Sequence, residues 1–133
     1  MTAYLNPDHP APAYHCGRLL AVLAELQYAA LGDVGAGVVQ RYYAAASQMP
    51  GLILGRLVRN AQFHLNKPDK PWLGSKFEKP MMEIVSKLKD EFPRTLSLEG
   101  QGLFAIGYYQ QLASLRSGNK STAHTINEQG ETA

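Results

Sequence analysis

The sequence has one cysteine, few charges and no long hydrophobic run, and each of these absences limits what the 133-residue chain can be. A single cysteine, Cys16, rules out an internal disulfide and is typical of a reducing compartment. No apolar run reaches the roughly 18 residues that a membrane span needs. No basic segment followed by an apolar one, as in a secretory leader, opens the chain. We therefore expect a cytoplasmic protein, with one domain large enough to bury a core without disulfides or metal.

Strand patterns are also missing, because no window alternates apolar and polar residues over the length of a strand. Helical spacing of apolar residues is found instead in five stretches, at residues 12–31, 38–49, 51–66, 77–88 and 97–116. The sequence therefore predicts an all-α fold, a single bundle of about five helices over residues 13–116. Three prolines make residues 1–12 an extended lead-in. We expect residues 117–133, which are rich in polar residues, to be a disordered tail.

The fifth predicted helix spans 20 residues, and most of one of its faces is apolar or aromatic. Seven residues recur on it at three- and four-residue steps: Leu103, Phe104, Gly107, Tyr108, Gln111, Leu112 and Leu115. We expect this helix to end at Arg116 and to form the wall against which the other helices pack. Tyr108 and Tyr109 are assigned to packing. Glycines in this stretch are interpreted as close helix contacts.

The chain has few residues in patterns that carry catalysis or metal binding. His15 and Cys16 are adjacent, and neighbours in a helix point about 100° apart, so they cannot act as a base and nucleophile pair. No metal-ligand spacing is present. Two groups of glycines, at positions 32, 35 and 37 and at positions 100, 102 and 107, superficially resemble phosphate-binding loops. Neither group has the preceding strand or the Gly-Lys-Ser/Thr ending that such loops need. The carboxylates form no pair with the spacing for acid and base catalysis. The sequence predicts a protein that is not an enzyme and holds no metal or cofactor.

The positive charge is concentrated in the middle of the chain. Residues 38–89 contain nine basic and three acidic residues, a formal charge of +6, whereas the whole chain carries +2. Such a block favours a polyanionic partner. Seven residues are the candidate nucleic-acid contacts: Arg41, Arg56, Arg59, Lys67, Lys70, Lys76 and Lys79.

Aromatic residues lie among these cations. Arg56, Arg59 and Phe63 are spaced to share one helix face. Residues 67–74 contain two prolines and are predicted to form an exposed basic loop that holds Trp72. Phe63 and Trp72 could stack on nucleic-acid bases, although such large side chains are more often part of a core.

Four stretches resemble one protein family. They read NPDHPAPAYHCGRLLAVLAELQYAALGDV, RYYAAAS, RLVRNAQFHL and FPRTLSLEGQGLFAIGYYQQ. Together they resemble the C-terminal helical region of the large subunit of type I-C CRISPR Cascade, over about residues 6–115. In that family the same region is also made separately, from an internal start codon, as the small subunit of the complex. A chain that begins with Met1 just before the first stretch is what a free-standing small subunit would look like.

The resemblance implies a non-catalytic helical bundle, present in more than one copy in the effector complex. Its partners would be the backbone and large subunits, further copies of itself, and the R-loop formed by crRNA and target DNA, including the displaced non-target strand. No membrane partner is implied. The family does not identify individual DNA contacts, so the seven basic residues remain predictions from charge and spacing. The alternative is a structural spacer that touches only protein.

Overall fold

The computed structural model describes residues 5–32, 37–88 and 92–128, with side chains as far as Ser117. These residues form five α-helices and no strand. The helices are α1 (Pro12–Leu31), α2 (Val38–Gln48), α3 (Pro50–Leu65), α4 (Trp72–Lys87) and α5 (Leu98–Glu128). The predicted all-α bundle of five helices is confirmed.

Proline and glycine set the ends of the first three helices. Pro12 is the first residue of α1, where its missing N–H costs nothing. Gly32 ends α1 with a φ of 77°, and its N–H donates to the Tyr28 carbonyl at 2.7 Å. The predicted bounds of α1 are therefore confirmed. Pro50 separates α2 from α3 by starting α3, one residue earlier than predicted.

Two predicted boundaries are wrong. The basic loop ends at Pro71, because α4 already begins at Trp72, and Pro80 lies inside α4. At the other end of the chain, α5 continues past Arg116 to Glu128. The run of serine, glycine and asparagine after Arg116 does not stop the helix. Disorder of residues 117–133 stays a prediction, and residues 129–133 lie outside the described part of the chain.

The centre of the bundle is α1, and not α5 as the apolar pattern predicts. All residues from Ala13 to Leu23 are buried, and α1 contacts each of the other four helices. By contrast, α5 packs against α1 and α2 only, within the described residues. A helix covered on all sides needs apolar or small residues nearly all round, and the buried stretch of α1 has them except at His15 and Arg18.

The two longest helices, α1 and α5, cross with their backbones in contact. A Cβ atom added at Gly17 would overlap the carbonyl oxygen of Phe104, and one added at Gly107 would overlap that of Tyr14. Only glycine fits at either position. The predicted close helix contact is thus confirmed for Gly107, whereas Gly102 on the same helix faces open space.

A charged residue, Arg18, is buried beside this crossing with only 2% of its surface exposed. Its guanidinium donates to Gln111 Oε1 at 2.8 Å on α5 and to Glu83 Oε1 at 2.7 Å on α4. Because Glu83 binds Arg18, it does not form the surface ion pair with Lys87 that their four-residue spacing predicts. Lys87 Nζ lies 3.0 Å from Asp8 Oδ1 instead. Arg18 therefore joins three helices, and a buried charge is stable only with such partners.

His15 extends this network to the N-terminal segment. Arg18 Nη1 lies 3.0 Å from His15 Nδ1, and His15 Nε2 lies 2.7 Å from the His9 carbonyl oxygen. Because arginine can only donate, Nδ1 must accept and the proton must reside on Nε2, so the ring is neutral. Burial lowers the pKa of His15, and the charge on Arg18 lowers it further. The His9 ring also stacks on Tyr14, with 4.3 Å between centroids, so residues 6–11 are fixed to α1.

We predict that Gly17→Ala and Gly107→Ala each lower the free energy of unfolding by at least about 2 kcal/mol, because a methyl group would force the two backbones apart. The matched control is Gly102→Ala on α5, where the methyl group meets nothing within 4 Å. That change should be neutral or stabilising by up to about 1 kcal/mol. Urea unfolding followed by circular dichroism measures all three. Equal effects at positions 17 and 102 would contradict the close crossing.

The network of His15 also predicts a pH dependence of stability. The folded state keeps His15 neutral, whereas in the unfolded chain the pKa of histidine is near its ordinary value of 6.5. The contribution of neutral His15 to the free energy of unfolding is therefore complete above pH 6.5. It is lost progressively as the pH falls from 6.5 toward the lower pKa of His15 in the folded state. The decrease in the urea unfolding midpoint from above to below pH 6.5 measures this loss of stability. We expect a smaller decrease in the His15→Gln variant than in the wild-type chain. An unchanged pH profile in His15→Gln would contradict the assignment.

Candidate nucleic-acid interface

One exposed row of side chains runs along α3. Leu52, Arg56, Arg59 and Phe63 follow one another at steps of four, three and four residues, which places them on one side of a helix. All four are exposed, Phe63 to 76%. The opposite side of α3 is buried in the core. We call these four residues the α3 stripe.

A similar row occurs on α4. Trp72, Lys76 and Lys79 follow at steps of four and three residues, and all three are exposed. Lys76 Nζ lies 6.0 Å from the centroid of the Trp72 ring and 5.3 Å from that of the buried Phe77, within the range of cation–π attraction. We call these three residues the α4 stripe.

The two stripes are alike in that each contains two cations and one exposed aromatic ring. None of the four cations, Arg56, Arg59, Lys76 and Lys79, makes a salt bridge within the described residues. Their charge is thus not neutralised by a neighbouring carboxylate there. Such a surface can attract phosphates and offer a ring for stacking.

The other three candidate residues lie elsewhere. Lys70 Nζ donates to the carbonyl oxygens of Ala29 and Ala30, at 3.1 and 3.0 Å, and so caps the C-terminal end of α1. Lys67 Nζ lies 3.9 Å from Asp69 Oδ1. The structure therefore gives Lys70 an intramolecular partner, and it does not bring all seven predicted residues onto one helix face.

Arg41 lies at a cleft of about 380 Å³ between α1, α2 and α3. The cleft is lined by apolar residues of all three helices and by Asn60 and His64. Burial lowers the pKa of His64, and the positive charge of Lys67 lowers it further. At neutral pH His64 is therefore a hydrogen-bonding group, and Arg41 supplies the charge at this cleft.

Three aromatic residues are more exposed than the sequence predicts. Phe63 and Trp72 were expected more often in a core and Tyr109 in packing, yet their exposures are 76%, 47% and 62%. The prediction followed the general tendency of large rings to be buried and gave less weight to the positions of these residues in the sequence. For Phe63 the helical phase that places it on one face with Arg56 and Arg59 was the better guide, because that face lies opposite the apolar side of α3.

Other kinds of site have little support in the described residues. No group of three histidine, cysteine or carboxylate side chains there could hold a metal ion. Cys16 is fully buried, and burial raises the pKa of its thiol to about 12. A thiol of that pKa is a poor nucleophile. No described helix is both long enough and apolar enough to cross a membrane.

Comparison with known protein families gives one match. The model of a family of CRISPR-associated proteins, Cas_Csd1, matches residues 1–116, which include the whole of α1 to α4 and both glycines of the helix crossing. A search of curated proteins gives no match. The family match agrees with the resemblance to a type I-C Cascade subunit and covers most of the chain. The chain therefore belongs to the Cas_Csd1 family of CRISPR-associated proteins.

Proposed function

We propose that the chain is a non-catalytic small subunit of the type I-C Cascade effector complex. In this role it stabilises crRNA-guided target binding and the R-loop, by contacting the displaced non-target DNA strand and neighbouring subunits. Membership of the Cas_Csd1 family supports a CRISPR-associated Cascade component that associates with other Cascade components. The observation that carries DNA contact is the pair of exposed stripes on α3 and α4.

The composition of the stripes suits a single strand of any sequence. Cations one helical turn apart can neutralise successive phosphates, and the ring at the end of each stripe can stack on a base. Neither stripe includes an asparagine, glutamine or carboxylate, the side chains that pair with adenine or cytosine edges, so the polar groups of both stripes are cations that suit phosphates of any sequence. Contact mainly with the strand's backbone fits a complex in which pairing with a guide RNA selects the target.

A non-catalytic role is supported by the surroundings of the reactive residues. Cys16 is sealed in the core, and His15 holds its proton in a hydrogen bond to the His9 carbonyl oxygen. Both groups stabilise the bundle and are inaccessible to a substrate.

We predict that Arg56→Gln combined with Arg59→Gln weakens R-loop formation by the reconstituted complex. If both arginines contact single-stranded DNA, the slope of log affinity against log salt should fall by about 1.4, since each phosphate contact adds about 0.7. Filter binding of the displaced strand over a salt series measures the slope. Gel filtration establishes that the variant still assembles.

The matched control removes the same charge outside both stripes, with Lys87→Gln and Arg94→Gln, two exposed residues. This control should keep the wild-type slope. An unchanged slope in the Arg56 and Arg59 variant, with assembly intact, would overturn DNA contact by α3 and favour a spacer that meets only protein.

Phe63 provides a separate prediction about stacking. Phe63→Ala should weaken binding of the displaced strand by about 1–3 kcal/mol if the ring stacks on one base, while Phe63→Trp should retain it. Because the ring is 76% exposed, the free energy of unfolding should hardly change. The control is Leu52→Ala, an exposed apolar residue in the same stripe that has no ring. Equal losses for Leu52→Ala and Phe63→Ala would contradict stacking.

A further inference from the structure

The outer side of α5 is apolar and has no partner among the described helices. Gly102, Ile106, Tyr109 and Ala113 follow at steps of four, three and four residues, opposite the side that packs on α1. All four are exposed, Ile106 to 49% and Tyr109 to 62%. No charged residue occurs from Gly100 to Leu115, over more than four turns of helix. We call the four residues the α5 stripe.

Opposite charges lie at the two ends of the α5 stripe. Glu99 precedes it and Arg116 follows it, and both side chains are exposed. The midpoint between these two residues falls between positions 107 and 108. Gly102 and Ala113 lie at equal distances in sequence from the same midpoint, and so do Ile106 and Tyr109. The sequence of this surface is therefore self-complementary about its centre.

We infer that the α5 stripe is an interface between two copies of this chain, with their α5 helices antiparallel about a two-fold axis. In that arrangement Glu99 faces Arg116 of the second copy, and the same ion pair is repeated at the other end. Between them, Gly102 faces Ala113 and Ile106 faces Tyr109. Small residues at the outer positions let the helices approach, and the two large apolar pairs fill the centre.

Charge complementarity favours this occupant over the others. A parallel pair would place Glu99 on Glu99 and Arg116 on Arg116, which repel. Nucleic acid would meet no cation along four turns of helix. Arg116 already lies 3.1 Å from Glu25 Oε2, but its guanidinium has five N–H donors and can serve a second carboxylate.

The interface is one helix pair about 26 Å long from Glu99 to Arg116, so it belongs to the smaller and more transient class of contacts. We expect the free chain to exist as monomer and dimer in a concentration-dependent equilibrium. This inference depends on α5 alone and is independent of DNA contact by the α3 and α4 stripes.

Disulfide cross-linking of the full chain tests the arrangement. Two single variants are prepared, Gly102→Cys and Ala113→Cys, at positions where a side chain is exposed. In the antiparallel pair position 102 faces position 113, whereas the two copies of position 102 lie about 16 Å apart along the axis. That distance is too long for a disulfide. A mixture of the two variants should therefore form a covalent dimer on mild oxidation, and either variant alone should not.

The wild-type chain is the control for the native thiol, because Cys16 is buried and should not cross-link. Sedimentation velocity of the wild-type chain over a concentration series gives an independent measurement and should show dimer at the upper end. Absence of a covalent dimer in the mixture would overturn the proposal, as would equally efficient cross-linking of each variant with itself. A wild-type chain that stays monomeric at every concentration would overturn it as well.

Discussion

The contact between the backbones of α1 and α5 is the constraint on which the rest of the bundle depends. Glycine at positions 17 and 107 brings the two helices closer than side chains would allow. At this distance the Tyr14 hydroxyl reaches Gln110, and Arg18 reaches Gln111 at 2.8 Å. With α5 on one side and α2, α3 and α4 around the others, α1 is enclosed. Its polar residues must then find partners inside the protein, which explains the network of Arg18, His15 and Glu83.

An enclosed central helix leaves the outer helices with one free side each. On α3 and α4 that side carries two cations and an aromatic ring, and on α5 it carries no charge over four turns. The bundle thus presents surfaces of different chemistry on different helices. Under the proposed function, this separation would let one small chain meet a polyanion and a protein on different helices.

Local signals in the sequence predicted the helices well and their roles less well. Pro12, Gly32 and Pro50 act on their own backbone, so the bounds of α1 and the break before α3 could be predicted. Long-range contacts could not. Lys70 binds carbonyl groups 40 and 41 residues away, and Arg18 meets a carboxylate 65 residues away, and neither pairing leaves a periodic pattern. The apolar pattern of α5 identified its buried side but did not reveal that Ile106 and Tyr109 are exposed, because an exposed apolar surface and a core surface can have the same composition.

The most direct test of nucleic-acid contact is lysine footprinting of the assembled complex, before and after R-loop formation. An amine-reactive reagent and mass spectrometry would measure the modification rates of Lys76 and Lys79 on the α4 stripe, with exposed Lys87 on the same helix as the internal reference. We expect both stripe lysines to become protected when the strand is displaced, while Lys87 keeps its rate. Unchanged rates at Lys76 and Lys79 in a complex that has formed the R-loop would contradict contact between the α4 stripe and DNA.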